Sequence, residues 1–180
     1  MNLNLGKSSD TEFIRFAPVL NSWLLDGEEV ELEYLLIAAE HLETGWGKIQ
    51  KGVSPLWVWD EILGEPSTRP DKDYKRGFRV PVYLPDHRLW RWWHNTTLSG
   101  NQAMSNLWDH AVEQENITED DVWPPVDNGL ACKYDGSVPL KVGRGTTRIP
   151  TLTFVAIKPY PSMPPSPVPF DDSGDDDIPF

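Results

Sequence analysis

GFRVPVYLPDHRLWRWW (77–93) is the stretch on which the reading of the fold turns. Phe78, Val80, Val82 and Leu84 alternate with Arg79 and Tyr83, so an extended segment has one apolar face and one face carrying a cation and a phenol. Pro85-Asp86 supplies a turn and Leu89–Trp93 a returning strand, which is the pattern of a β-hairpin. Pro81 cannot donate to a ladder, so it predicts an edge position or a bulge.

Downstream the period changes. Ala103, Met104, Leu107, Trp108, Ala111 and Val112 form a helical stripe behind Ser99 and Gln102, which read as a capping box; the helix is expected over about 100–114. LACKYDGSVPLKV (130–142) and RIPTLTFVAIKP (148–159) then read as strands joined through the Gly143-Arg144-Gly145 turn. Upstream, VELEYLLI (30–37) places Val30, Leu32, Tyr34 and Leu36 on one face of a strand continuing towards Glu43. Strands, one helix and more strands predict a mainly β domain. That order matches a five-stranded oligonucleotide-binding (OB) barrel with its helix between strands 3 and 4; small barrels and half-open sheets with one helix share it.

The chain has 180 residues, enough for a single domain with extensions. Four segments are expected: a flexible start (1–12), the β domain (13–158), a Pro-rich linker (159–170) and an acidic tail (171–180), which is read as disordered. The last 22 residues hold seven of the seventeen prolines and no periodic apolar pattern, so they suit an extended spacer rather than a core. No apolar run approaches the eighteen or so residues of a membrane span. The start has no apolar export signal, which predicts a cytoplasmic protein. Cys132 is the single cysteine and the four histidines lack paired-ligand spacing, so neither a metal nor another cofactor is expected. No nucleophile motif is present, the acids at 119–121 read as a solvated loop, and an enzyme is not expected.

The formal charge of −12 argues against a polyanionic partner, but the charges are partitioned. Residues 69–94 carry seven basic and three acidic side chains, and 133–158 carry five against one. The remaining acids lie mainly before residue 44, between 95 and 132, and in the tail. Two basic segments converging on one face attract phosphates whatever the net charge.

Nine tryptophans exceed what a core of this size requires, and their neighbours are cations. Trp46 lies near Lys48; Trp57 and Trp59 share a strand face if extended; Trp90, Trp92 and Trp93 alternate with Arg88 and Arg91. Aromatic planes interleaved with cations suit single-stranded nucleic acid, because every base offers a face to stack on and every linkage a phosphate. Lys75, Arg76, Arg79 and Tyr83 complete the candidate surface, with Arg144 and Arg148 from the GRGTTR turn. Trp23 and Trp108 are assigned to the core, and the alternative for Trp90–Trp93 is that they fill it too. Gly45 and Gly47 around Trp46 either admit a phosphate backbone or form a bulge.

The chain ends in DDSGDDDIPF (171–180). This tip resembles that of bacterial single-stranded DNA-binding proteins, in which an acidic stretch ends in Asp-Asp-Asp-Ile-Pro-Phe, and TGWGK, PLWVWD and YKRGF look like the divergent OB-type binding proteins of phages and mobile elements. The resemblance implies a protein that coats single-stranded DNA in replication, recombination or repair, in a bacterial or phage-infected cell. It further implies that Asp175, Asp176, Asp177, Ile178, Pro179 and Phe180 recruit proteins with pockets for such a tip. The usual family is tetrameric, so a homo-oligomer is among the expected states. The rival reading is an interaction or decoy protein that carries the tip to compete for host factors and binds no DNA.

Overall fold

In the computed structural model, residues 12–161 and Pro164 are described. Ten strands and one long helix follow in the order β1 (Ile14–Ala17), β2 (Ser22–Leu25), β3 (Glu28–Val30), β4 (Tyr34–Ile37), a 3-10 turn (Ala39–His41), β5 (Glu43–Lys48), β6 (Leu56–Trp59), β7 (Lys75–Leu84), β8 (Leu89–Asn95), α1 (Leu98–Gln114), β9 (Asn128–Val142) and β10 (Gly145–Pro159). The domain is mainly β, as the alternation predicts, but it is not a closed five-stranded barrel. β1–β3 form a small antiparallel sheet, and the other seven strands form an open one in the order β10-β9-β4-β7-β5-β6, with β8 on the far side of β7. The helix falls between β8 and β9.

The hairpin at 77–93 is the centre of the large sheet: β7 pairs β8 from Phe78–Asn95 to Leu84–Leu89. Along its other edge β7 pairs first with β5 and then with β4. β4 and β5 are therefore two halves of one strand line, interrupted by the 3-10 turn. Pro81 sits opposite that interruption, in a central strand and not at an edge. Its carbonyl accepts from the Ala38 N–H at 3.0 Å, so the side on which Pro81 lacks a donor faces the break.

Residues 30–37 do not form one strand. Val30 ends β3 and Tyr34 begins β4, in different sheets. Tyr34 is exposed whereas Leu35, Leu36 and Ile37 are all buried. β4 is an interior strand, paired along both edges with β9 and β7, and burial of side chains on both of its faces replaces the simple alternation.

The helix begins two residues earlier than expected, at Leu98. Thr97 is the N-cap, accepting from the Gly100 N–H at 3.0 Å, and Ser99 instead bonds the Arg148 carbonyl, tying α1 to β10. Ala103, Met104, Leu107 and Ala111 meet Phe78, Val80, Val82, Leu130, Leu152 and Phe154 in the core, which Trp23 and Ile14 close from the small sheet. Cys132 is fully buried there, and burial pushes its thiol up to about 12. No helix among the described residues is long and apolar enough to cross a membrane.

Candidate nucleic-acid interface

Directly opposed residues of an antiparallel ladder share a face, so the registers assign each candidate side chain. On β7, Lys75, Gly77, Arg79, Pro81 and Tyr83 point away from the core. Their partners on that face are Gly47, Gly45 and Glu43 of β5, and His94, Trp92 and Trp90 of β8. Gly45 and Gly47 in turn oppose Trp59 and Trp57 of β6. One surface thus gathers Trp57, Trp59, Lys75, Arg79, Tyr83, Trp90 and Trp92.

The glycines explain why the indoles lie flat. A Cβ on Gly47 would come within 2.6 Å of the Trp57 ring, and one on Gly45 within 3.1 Å of the Trp59 ring. Over this floor Trp57 and Trp59 stack on each other, centroids 4.5 Å apart at 10°. Arg79 lies over Trp59 at 4.5 Å and near Trp92 at 5.5 Å, and its Nε donates to Glu43. His94 packs edge-on against both Trp57 and Trp92, 6.0 Å away in each case. Burial, with the Arg79 charge adding to it, holds the His94 imidazole down to about 3, so the ring is neutral at physiological pH. At the opposite end Tyr83 meets Trp90 at 5.4 Å, and Trp90 meets Tyr160 at 5.6 Å. Burial, then Glu40 and Asp127, raise the Tyr160 hydroxyl well above the usual phenol range.

Trp46 and Arg76 oppose each other on the other face of the same sheet, and Lys48 shares it. Arg69 and Arg76 both approach the Trp46 ring, at 5.4 and 5.6 Å. Arg76 forks onto Asp60, with Nη1 to Oδ1 at 2.7 Å and Nη2 on Oδ2. Burial alone would raise the Asp60 carboxyl, but hydrogen bonds from Arg76, Thr44 and the Ser67 N–H outweigh it and hold the group well below the usual carboxylate range.

Trp93 and Arg91 lie on the other parity of β8, away from the Trp92 face. Trp93 is 1% exposed, edge-on to Trp23 and Phe78 in the core, where no ligand reaches it. Arg91 forks onto Asp26, both bonds 2.8 Å, and so fastens β8 to the small sheet. Arg88 is exposed in the β7–β8 turn with φ +53°. On the long β9–β10 hairpin, Arg144 is exposed at the turn, while Arg148 donates to the Ser137 hydroxyl at 2.6 Å and carbonyl at 3.0 Å. Asp175–Phe180, the linker beyond Pro164 and residues 1–11 lie outside the described residues.

The sequence pattern does not single out Phe13, Glu43, Asp60 and Asp26, all of which shape these clusters. The carboxylates lie 16 to 65 residues from the arginines they hold, beyond any local spacing rule. No group of three or more His, Cys, Asp or Glu side chains suited to a metal occurs among the described residues. No protein-family model matches the chain, and neither a curated protein nor a solved structure matches it significantly.

Proposed function

We propose that the chain is a non-enzymatic single-stranded DNA-binding protein that coats exposed strands and recruits partner proteins through Asp175–Phe180. The observation that carries this reading is the sheet face on which Trp57, Trp59, Arg79, Trp92, Tyr83 and Trp90 converge. Trp57, Trp59, Tyr83 and Trp90 are partly exposed around the buried Trp92 and Arg79, and a row of such π-faces offers stacking to every base without reading sequence.

The strand path supports an OB-type body. Counting β4 and β5 as one interrupted strand, the order β10-β9-(β4/β5)-β7-β8 is the 5-4-1-2-3 order of that fold without its closing 3–5 pair. On that count α1 follows the third strand and precedes the fourth. β7 and β8 then occupy the positions whose face binds oligonucleotides. The β5–β7 connection, with β6, and the β9–β10 hairpin occupy the positions of the two ligand-contacting loops. The gap is occupied by the small sheet: Phe13 bridges Trp92 in parallel, and Trp23 packs on Trp93 and Tyr134.

One observation favours the decoy reading. Arg76, Arg79 and Arg91 are each bonded to a carboxylate, which lowers the positive potential they present to phosphates. Titration with oligo-dT while following Trp fluorescence separates the two. Strand binding predicts quenching and an affinity that falls linearly with salt on logarithmic axes; an absent response overturns it. A pull-down from bacterial lysate tests the tip: Phe180→Ala should lose replication and repair proteins that the full chain captures. Equal capture would remove the recruiting role.

A further inference from the structure

The aromatic row does not end at Trp57. His94 adjoins Trp57, and Phe13 at the start of β1 packs edge-on against His94 at 4.7 Å. Beyond Phe13 opens a groove of about 420 Å³ between β1 and the β5–β6 turn. Phe13 and His94 line it, together with Ile49 and Val53, which are 45% and 54% exposed.

Two of its lining residues are cations, Arg15 and Lys51. Both are exposed, and neither has an acidic partner among the described residues. They differ in this from Arg76, Arg79 and Arg91, whose charge a neighbouring carboxylate offsets. An apolar, aromatic floor between two uncommitted cations suits a flat ring whose flanking groups are anionic. A base in a single strand has that chemistry, and a strand lying along the adjoining row would run into the groove without turning away from the sheet.

We infer that this groove is a nucleobase subsite: a single strand lying along the Trp59–Trp57 pair continues past His94, sets one base against Phe13 and places its flanking phosphates on Arg15 and Lys51. The inference rests on the proposed strand-binding reading and extends it. It makes the small sheet part of the binding surface, so the site is longer than the β6-β5-β7-β8 face alone.

The test uses the full chain and oligo-dT in which 5-iododeoxyuridine occupies one position at a time, followed by photocrosslinking and peptide mapping. A crosslink at Phe13 or His94 is expected from one end of the strand. In parallel, Arg15→Gln/Lys51→Gln changes two exposed side chains and should leave folding intact. It should weaken a strand of about 20 nucleotides by about tenfold at low salt while leaving one of about four within twofold, and should lower the salt slope by about 1.4, two phosphates at ~0.7 each. Crosslinks confined to Trp57, Trp59, Trp90 and Trp92, or equal loss for short and long strands, overturn the subsite while leaving strand binding in place; the groove is then open to the chain's own residues 1–11. Failure of every strand to bind overturns the subsite and the parent reading together.

Discussion

Trp92 and Trp93 are neighbours in sequence, yet β8 sends them to opposite sides of one sheet. Trp93 packs in the core against Trp23 and Phe78, with no arginine over its ring among the described residues. Trp92 lies on the face with Arg79 and His94, 8% exposed at the centre of the row. Aromatic count and neighbouring arginines therefore do not mark a binding surface residue by residue; the two-residue period of the strand sorts them. It sorts the arginines as well, since Arg91 shares the parity of Trp93 and is spent on Asp26.

Deleting one ring from each face should separate the two roles most widely. Trp93→Ala empties a core site and should destabilise the fold by about 3–5 kcal/mol. Urea unfolding measures this. Trp59→Ala removes a half-buried ring from the other face and should cost far less. Equal losses would mean that the two faces are one core.

Acid should reveal the second difference, because the faces bury different titrating groups. His94 is held near 3 when folded and titrates at about 6.5 unfolded, so below about 6.5 the unfolded chain takes up a proton that the folded one refuses. Its contribution is fully present above that pH and is lost as pH falls towards 3, at about 1.4 kcal/mol per unit. Asp60 acts in a lower window: its folded value lies below the unfolded value of about 3.9, so its contribution disappears as pH falls from there. Stability measured at pH 7, 5.5 and 4 should therefore decline, and His94→Gln should flatten that decline. An unchanged slope in the variant would assign the loss to other groups.

How much of this was legible in the sequence differs element by element. Phe78 to Leu84 and the stripe from Ala103 to Ala111 were readable because apolar residues recur there at the period of the element, although the fold buries Arg79 and Pro81 on the other parity as well. β1, β2 and β3 are three or four residues long, too short for a period to emerge, so the small sheet and the groove it borders were not readable. The open edge was not either, because closure depends on pairing between distant strands. At the site, Trp57 and Trp59 were legible from their i, i+2 spacing, whereas the division of Trp92 from Trp93 needed the strand parity. The carboxylates on Arg76, Arg79 and Arg91 needed the tertiary fold.

Strand affinity should separate the two faces as well. If the Trp57–Trp59 pair stacks on bases, Trp59→Ala should lose about 1–3 kcal/mol of oligo-dT affinity, with duplex DNA of equal length binding much more weakly to either protein. Trp46→Ala, from the opposite face, should lose less, because Arg69 and Arg76 already approach that ring and its indole N–H is committed to the Ser67 carbonyl at 2.7 Å. The reverse ranking would move the binding face to the Trp46 side of the sheet.

The smallest expected effect belongs to the β9–β10 turn, far along a ribbon whose end residues are mostly exposed. Arg144 stands there without an acidic partner among the described residues, in contrast to Arg148, which Ser137 holds. An exposed cation at a hairpin end contributes to strand binding through one phosphate. Arg144→Gln should therefore leave unfolding unchanged, lower the salt slope by about 0.7 and weaken oligo-dT by less than a factor of about five at low salt. Arg148→Gln makes the opposite test, since it breaks two hydrogen bonds between β10 and β9 and should be felt in stability, by about 1 kcal/mol, before it is felt in the slope. If Arg144→Gln leaves the slope untouched, the ribbon does not reach the strand, and the binding surface is confined to the sheet face and its groove.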